Sequence, residues 1–280
     1  MMRRVIEKIG LLFLNLFFIG ICFAVLIPIL YAFSVSLNAQ NSILGSDFSF
    51  IPRELTLANY RAVIFEQPVL LWFRNTIIMA ISSVMISLLI SVPAAYSFSR
   101  KKFAGRTKIF NGLILLYSFP AILSMFAIYR LLLPLGLINT RTGLVIVYIG
   151  TMAIFGVLNL KGYFDSLPIE IEEAAQMDGA SGLHTVLWIL LPLARPAIIV
   201  TGVMVLIYVW NEYIYAITFM TGERNYTLAA GLYALQATEM SGSWPVFAAA
   251  SIVVSLPILI IFFATQKYMT SGLTAGGVKG

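Results

Sequence analysis

The residues best suited to chemistry form one short run, Trp210-Asn211-Glu212-Tyr213, inside an otherwise apolar stretch. Amide groups hydrogen-bond hydroxyls, and aromatic rings stack on flat apolar faces of ligands. One interpretation is therefore that these side chains line a path for a polar solute. The other is that Asn211 and Glu212 hold neighbouring helices together through hydrogen bonds. The sequence alone leaves both interpretations open.

Motifs for catalysis, nucleotide binding and metal binding are missing from the sequence. It contains no Gly-x-Ser-x-Gly, no His-Glu-x-x-His and no Gly-x-x-x-x-Gly-Lys phosphate loop. His184 is the only histidine and Cys22 the only cysteine, so neither a metal cluster nor an intramolecular disulfide is expected. We therefore predict a non-catalytic protein that itself binds no metal and no cofactor.

Composition and patterning indicate a membrane protein. Hydrophobic residues make up 60% of the chain and charged residues 11%, whereas soluble domains average about 45–50% and about 25%. The apolar blocks of roughly 20 residues are long enough for a helix to cross a hydrocarbon core about 30 Å thick. We predict an all-α polytopic membrane protein, with residues 1–280 forming a single transmembrane domain of six helices. The predicted spans cover residues 10–33, 76–98, 109–133, 143–160, 197–220 and 245–264.

The basic residues lie at the ends of the apolar blocks, where they report orientation. They form no aromatic-laced patch, so the net charge of +6 does not indicate nucleic-acid binding. With the N-terminus inside, 12 of the 18 Lys and Arg residues fall in cytoplasmic segments, as the positive-inside rule requires. Both termini are then cytoplasmic, as are the polar segment 165–192 and the tail 268–280.

The segment 165–192 has the pattern of two short helices joined at a glycine corner. Ser166 is a candidate N-cap, and Pro168 fits the first turn of a helix rich in glutamate near its start. Gly179 would end that helix in the left-handed conformation. A second helix is expected from about Ser181 to Leu191, stopping at Pro192. Such a segment either presents a firm surface to a soluble partner or simply reconnects two spans.

The spacing within this segment resembles the EAA motif of the permeases of ABC importers. Glu173-Ala174-Ala175 is followed after three residues by Gly179, and after nine more by Ile189, one residue, and Leu191-Pro192. The run Glu-Ala-Ala-Gln-Met-Asp-Gly-Ala-Ser is similar to the carbohydrate branch of that family. Length, six spans and the ending Gly272–Gly280 also look like the MalG-type permeases of maltose and related sugar importers.

The resemblance implies roles for individual residues. In that family the EAA segment is a coupling helix that docks on a cytoplasmic ATPase subunit, and the C-terminal tail reaches the ATPase dimer. For the tail this implies contacts from Gly272 and Lys279, although a frayed terminus is an equal alternative. The implied coupling residues are Glu173, Ala174, Ala175, Asp178, Gly179, Ile189, Leu191 and Pro192. The outer loop 221–244 would face an extracytoplasmic sugar-binding protein.

The function implied by the resemblance is sugar import across a bacterial or archaeal cytoplasmic membrane. This chain and a second homologous permease would each form half of the pore within the lipid bilayer, and ATP and Mg would bind the partner ATPase. An ABC importer for a non-sugar solute is the first alternative. A self-contained secondary transporter is less favoured, because only Glu212 is an acid placed deep within a span. A membrane enzyme is not favoured, because the sequence contains none of the catalytic motifs named above.

Overall fold

The computed structural model describes residues 2–39, 52, 54–237 and 243–275. Within these ranges the chain is helical apart from short connections and one isolated bridge between Asn38 and Leu55. The predicted all-α class is confirmed. The α-helices of the described residues are α1 (Met2–Ser36), α2 (Ala58–Phe65), α3 (Val69–Arg100), α4 (Arg106–Ser118), α5 (Ala121–Leu132), α6 (Arg141–Ser166), α7 (Glu170–Met177), α8 (Gly182–Thr185), α9 (Leu191–Asn211), α10 (Ile214–Phe219), α11 (Leu228–Ala237) and α12 (Trp244–Ala275).

Five helical stretches in the described part of the chain are long and apolar enough to cross a membrane. They are Ile9–Ser36, Val69–Arg100, Arg141–Ser166, Gly182–Asn211 and Trp244–Tyr268. Together, α4 and α5 pass the same test, but they are bent by 99° at their junction. The chain is therefore a multi-pass membrane protein, with five candidate spans among the described residues, or six if the bent pair crosses as one.

The predicted third span, 109–133, differs from a single continuous helix because the chain breaks before Pro120. Phe119 has ψ 130°, an extended conformation, which the residue before a proline prefers. Pro120 itself has no N–H to continue the hydrogen-bond ladder. The proline is present in the sequence, but the predicted span 109–133 runs through it without a break.

The predicted stop at Pro192 is wrong, because the second helix of the coupling segment runs on to Asn211. A π-helical turn, Val186–Leu190, joins α8 to α9, and the Leu191 N–H bonds the Val186 carbonyl five residues back. Pro192 then lies in the first turn of α9, where a missing N–H does little harm. The predicted N-cap is also wrong, since the Ser166 hydroxyl donates back to the Tyr163 carbonyl.

The predicted fifth span, 197–220, is interrupted. The helix α9 ends at Asn211, Glu212 and Tyr213 are non-helical, and α10 starts at Ile214. The interruption falls inside the one polar run that the sequence singles out within an apolar block. Backbone that leaves the helix at membrane depth needs other partners for its N–H and carbonyl groups.

The chain divides into two compact units, Met1–Val69 with Ala234–Ser255, and Leu70–Tyr233 with Leu256–Gly280. In the first unit, the amide of Asn59 donates to the carbonyls of Ser36 and Asn38, which fixes α2 to the end of α1. The described side chains of α1 from Ile9 to Leu30 are all exposed. Lipid or another protein must therefore cover this apolar helix.

The second unit contains the core that positions the coupling segment. One buried cluster joins α3, α6, α9 and α10, and its largest fully buried members include Met79, Leu144, Tyr148 and Phe219. A second cluster, Ala95, Leu160, Phe164, Leu190 and Ala194, packs the start of α9 against the ends of α3 and α6. Small residues allow α3 and α6 to approach each other closely, since a Cβ on Gly156 would lie 2.6 Å from the Ser91 hydroxyl.

Candidate functional site

The helix α7 is short and has a defined end. It runs from Glu170 to Met177, with three glutamates in the first turn, where the helix dipole favours negative charge. Gly179 follows with φ +84°, and the Ala180 N–H bonds the Ala175 carbonyl at 2.9 Å across the turn. This left-handed cap is accessible to glycine at little cost and turns the chain sharply.

The two faces of α7 differ in what they present. Glu172 and Ala175 point inward and are buried, whereas Glu173, Ala174 and Asp178 are exposed. Thus the structure places two of the three Glu-Ala-Ala residues on the outer face and the last in contact with the protein.

Apolar side chains continue the exposed surface beyond the glycine corner. Met177 is 88% exposed, and Leu183 and Trp188 are each 70% exposed. His184 lies parallel to the Trp188 ring at 6.1 Å between centroids. We call the exposed group Glu173, Ala174, Met177, Asp178, Leu183 and Trp188 the docking surface. Exposed large apolar residues rimmed by acids are typical of a protein-binding surface.

The later residues of the EAA motif, from Ile189 to Pro192, lie where the segment joins α9, outside the docking surface. Ile189 and Leu191 are half-buried and Pro192 is exposed, while Leu190 between them is fully buried. The structure therefore separates the predicted coupling residues into an exposed group around the glycine corner and a group that joins the segment to the transmembrane core.

Sequence reasoning missed an ion pair that fixes α7 from behind. The Arg100 Nε atom lies 2.5 Å from the Glu172 carboxylate, and the Tyr96 hydroxyl donates to the same carboxylate at 3.2 Å. A second guanidinium nitrogen of Arg100 donates to the Leu167 carbonyl at 2.7 Å. The only signal in the sequence was an arginine at the end of an apolar block, and its partner lies 72 residues later in a glutamate-rich helix.

Glu212 closes the break between α9 and α10. Its carboxylate accepts hydrogen bonds from the Tyr215 N–H at 2.8 Å and the Ala216 N–H at 3.3 Å, which are free amides at the start of α10. The Tyr148 hydroxyl of α6 donates to the same carboxylate at 2.8 Å. Glu212 thus caps α10 and holds it to α6, which supports the interhelical interpretation for this residue.

The other members of the polar run differ in their exposure. Trp210 is 5% exposed, and its ring meets Phe73 edge-on at 5.7 Å. Asn211 and Tyr213 are exposed. The ring of Tyr213 lies 5.9 Å from that of Tyr233 in α11, at an angle of 31°. Asn211, Tyr213 and Tyr233 are thus the exposed polar and aromatic side chains of the face at the break, and the Asn211 amide donates to the Ile207 carbonyl of its own helix at 2.8 Å. Tyr233 was not predicted from the sequence.

The segment after α10 is fastened to α3. The Trp72 indole donates to the Glu223 carbonyl at 2.7 Å, and the Asn75 amide donates to the carbonyls of Arg224 and Tyr226. These residues belong to the predicted outer loop 221–244, whose described remainder includes the helix α11 and the first residue of α12. Of the predicted tail contacts, Gly272 lies in the last turns of α12, and Lys279 lies outside the described residues.

Comparison with known proteins identifies the family. The family of binding-protein-dependent transport system inner membrane components matches residues 87–273. The galactooligosaccharides transport system permease protein GanQ of Bacillus subtilis is 32% identical, covering 99% of this chain and 98% of that protein. The maltose/maltodextrin transport system permease protein MalG of Escherichia coli is also 32% identical, covering 98% and 97%.

A solved structure agrees with this assignment. A chain of a bacterial ABC transporter involved in the import of the acidic polysaccharide alginate superposes with a TM-score of 0.76 at 25% identity, covering 95% of this chain and 96% of that one. The resemblance to MalG-type permeases is confirmed. The chain belongs to the family of binding-protein-dependent transport system inner membrane components and is a multi-pass membrane permease.

Proposed function

We propose that this chain is one permease subunit of an ATP-driven, binding-protein-dependent importer of oligosaccharides. The observation that carries the proposal is the docking surface, an exposed acidic and apolar face at a glycine corner, in a chain whose relatives transport sugars. The related permeases carry galactooligosaccharides and maltodextrins by name. A hydroxyl-rich solute is therefore the substrate class that we infer for this chain.

We infer the partner proteins of this chain from the motifs that its sequence lacks. Without a phosphate loop, this chain leaves ATP and Mg to a cytoplasmic ATPase dimer that binds the docking surface. A second homologous permease completes the pore, and an extracytoplasmic sugar-binding protein delivers the substrate. Both termini lie in the cytoplasm of a bacterium or archaeon, as the distribution of lysine and arginine favours. Gly272 and Lys279 are a second contact with the ATPase dimer.

The exposed face at the break between α9 and α10 is the inferred contact with substrate. Asn211 offers an amide to sugar hydroxyls, and Tyr213 and Tyr233 offer ring faces and hydroxyls. Trp210 and Glu212 support this face from behind, one by packing and one by capping α10. An interrupted helix suits this role, because unwound backbone at membrane depth is accommodated where it lines a cavity.

The proposed function predicts uptake that depends on ATP and on this chain. Cells that lack the chain should lose uptake of labelled maltotriose or galactobiose, and plasmid-borne wild type should restore it. Uptake should survive a protonophore when ATP is maintained and should stop with orthovanadate. Labelled methionine serves as the non-sugar solute. Uptake of methionine alone would replace the sugar assignment, and protonophore-sensitive, vanadate-resistant uptake would contradict an ATP-driven importer.

The substrate face predicts a loss of uptake without a loss of protein. Tyr213→Ala and Tyr233→Ala should each lower uptake at limiting sugar about tenfold, since an aromatic contact contributes about 0.5–1.5 kcal/mol beyond its buried area and a tenfold change corresponds to about 1.4 kcal/mol. Phenylalanine at either position should retain most uptake. Thr218→Ala, at an exposed position of α10, is the control. Unchanged uptake by an Asn211→Ala, Tyr213→Ala double variant would remove this face from the path.

A further inference from the structure

One guanidinium joins three elements at the base of the docking surface. Arg100 closes α3, Glu172 belongs to the first turn of α7, and Leu167 follows the last residue of α6. The side chains of Arg100 and Glu172 are only 11% and 8% exposed. The planar fork of arginine allows it to donate to the carboxylate of Glu172 and the carbonyl of Leu167 at once.

A buried ion pair is an unusual way to fasten a short helix. Removing two charges from water costs several kcal/mol per ion in order of magnitude, and apolar residues of similar volume often stabilise a fold as well or better. The pair therefore contributes little to stability that apolar packing could not also supply. What packing does not supply is a directional connection between two particular elements. Here the connected elements are α7 and α3.

Few other inward contacts tie α7 to the transmembrane helices. Its second buried residue is Ala175, whose side chain is one methyl group. Its first residue is separated from α6 by the short connection 167–169, and its far end is the glycine corner. The bonds from Glu172 to Arg100 and Tyr96 therefore connect α7 itself to α3, while the packing of Leu190 and Ala194 on Ala95 connects the other end of the segment to α3.

In the middle of α3, three buried serines do not hold the helix to its described neighbours through side-chain hydrogen bonds. Ser83, Ser87 and Ser91 lie at successive turns of α3 and are buried, yet their hydroxyls have no hydrogen-bond partner among the described residues. Contacts between α3 and its neighbours at these positions are therefore non-directional. Ser91 meets Gly156 of α6 closely enough that a Cβ there would clash.

We propose that the Arg100–Glu172 pair transmits movement of the docking surface to α3 and so couples ATP hydrolysis to opening of the pore. This rests on the proposed function, in which an ATPase subunit moves α7. Arg100 and Glu172 are then positioning residues: they touch neither ATP nor sugar, and they keep α3 in register with α7. Tyr96, which lies on α3 like Arg100, donates a hydrogen bond to the Glu172 carboxylate.

The test compares coupling with assembly in the complete transporter reconstituted in liposomes with its binding protein. The sugar is whichever of maltotriose and galactobiose the wild type takes up faster. An Arg100→Met, Glu172→Met double variant removes both charges together, which avoids leaving one buried charge unpaired. We expect it to assemble and hydrolyse ATP, with the amount of sugar imported per ATP falling at least fivefold. The exchange Arg100→Glu, Glu172→Arg should recover at least half of the wild-type ratio.

Three single variants separate this role from a structural one. Arg100→Lys keeps the charge but lacks the fork, so it should give an intermediate ratio. Lys102→Met, at an exposed position just after α3, and Glu170→Gln, at an exposed position of α7, should leave the ratio unchanged. A wild-type ratio in the double methionine variant would overturn the proposal, as would a charge exchange that assembles but stays uncoupled. A wild type that imports neither sugar would instead count against the proposed function.

Discussion

Replacing Glu173 by lysine and Gly179 by proline is expected to abolish co-purification of the ATPase subunit. Glu173 is exposed on the docking surface, so lysine reverses a charge at the contact. Gly179 has φ +84°, whereas proline is fixed near −65°, so the corner must reorganise. Together these changes should weaken binding at least a hundredfold, or about 2.7 kcal/mol. The second permease should remain bound in mild detergent.

The matched controls use the same residue types nearby. Glu170→Lys changes an exposed glutamate on the same helix, and Gly182→Ala changes a glycine with an ordinary φ and open space around its Cβ position. Both should retain the ATPase. Loss of the second permease as well would indicate general unfolding, and retention of the ATPase in the double variant would show that α7 is not the docking element.

Glu212→Ala is expected to lower the free energy of unfolding by about 2–4 kcal/mol, through loss of a helix cap and of a partner for Tyr148. The carboxylate accepts from two backbone amides and one hydroxyl, and alanine replaces none of these bonds. Glu212→Gln keeps one oxygen acceptor and should cost less than half as much. The measurement is equilibrium denaturation in mixed micelles.

Tyr148→Phe and Glu223→Ala complete this experiment. The first removes the hydroxyl that reaches Glu212 and should cost about 1 kcal/mol. The second removes an exposed carboxylate beyond α10 and should be neutral. If Glu212→Ala keeps wild-type stability but stops uptake, the carboxylate acts in the translocation path, contrary to the capping role that its geometry supports.

The sequence predicts the membrane class and the coupling segment because both depend on local signals. Blocks of apolar residues indicate spans wherever they occur, and a glycine after a glutamate-rich helix indicates a corner. The bends before Pro120 and at Glu212 were not predicted as breaks. Hydropathy is averaged over a span, and it does not register a break whose free backbone groups find partners within the same apolar block.

Tertiary pairings account for what the sequence missed at the site. Arg100 and Glu172 are distant in the chain, and each alone fits an ordinary helix end. Tyr233 gives no local signal, because its pairing with Tyr213 depends on how α11 returns towards the break. Of the two interpretations of the polar run, the structure supports the interhelical one for Glu212. Contact of Asn211 and Tyr213 with substrate stays a prediction.

The most direct test of the central claim is purification of the tagged chain in mild detergent, with the co-purifying proteins identified by mass spectrometry. We predict a second permease of the same family and an ATPase with a phosphate-loop motif, in a ratio of one copy of each permease to two ATPase subunits. Adding the binding protein with its sugar should stimulate ATP hydrolysis by this complex. Purification of the chain with no ATPase, from membranes that support uptake, would contradict the account and favour a self-contained carrier.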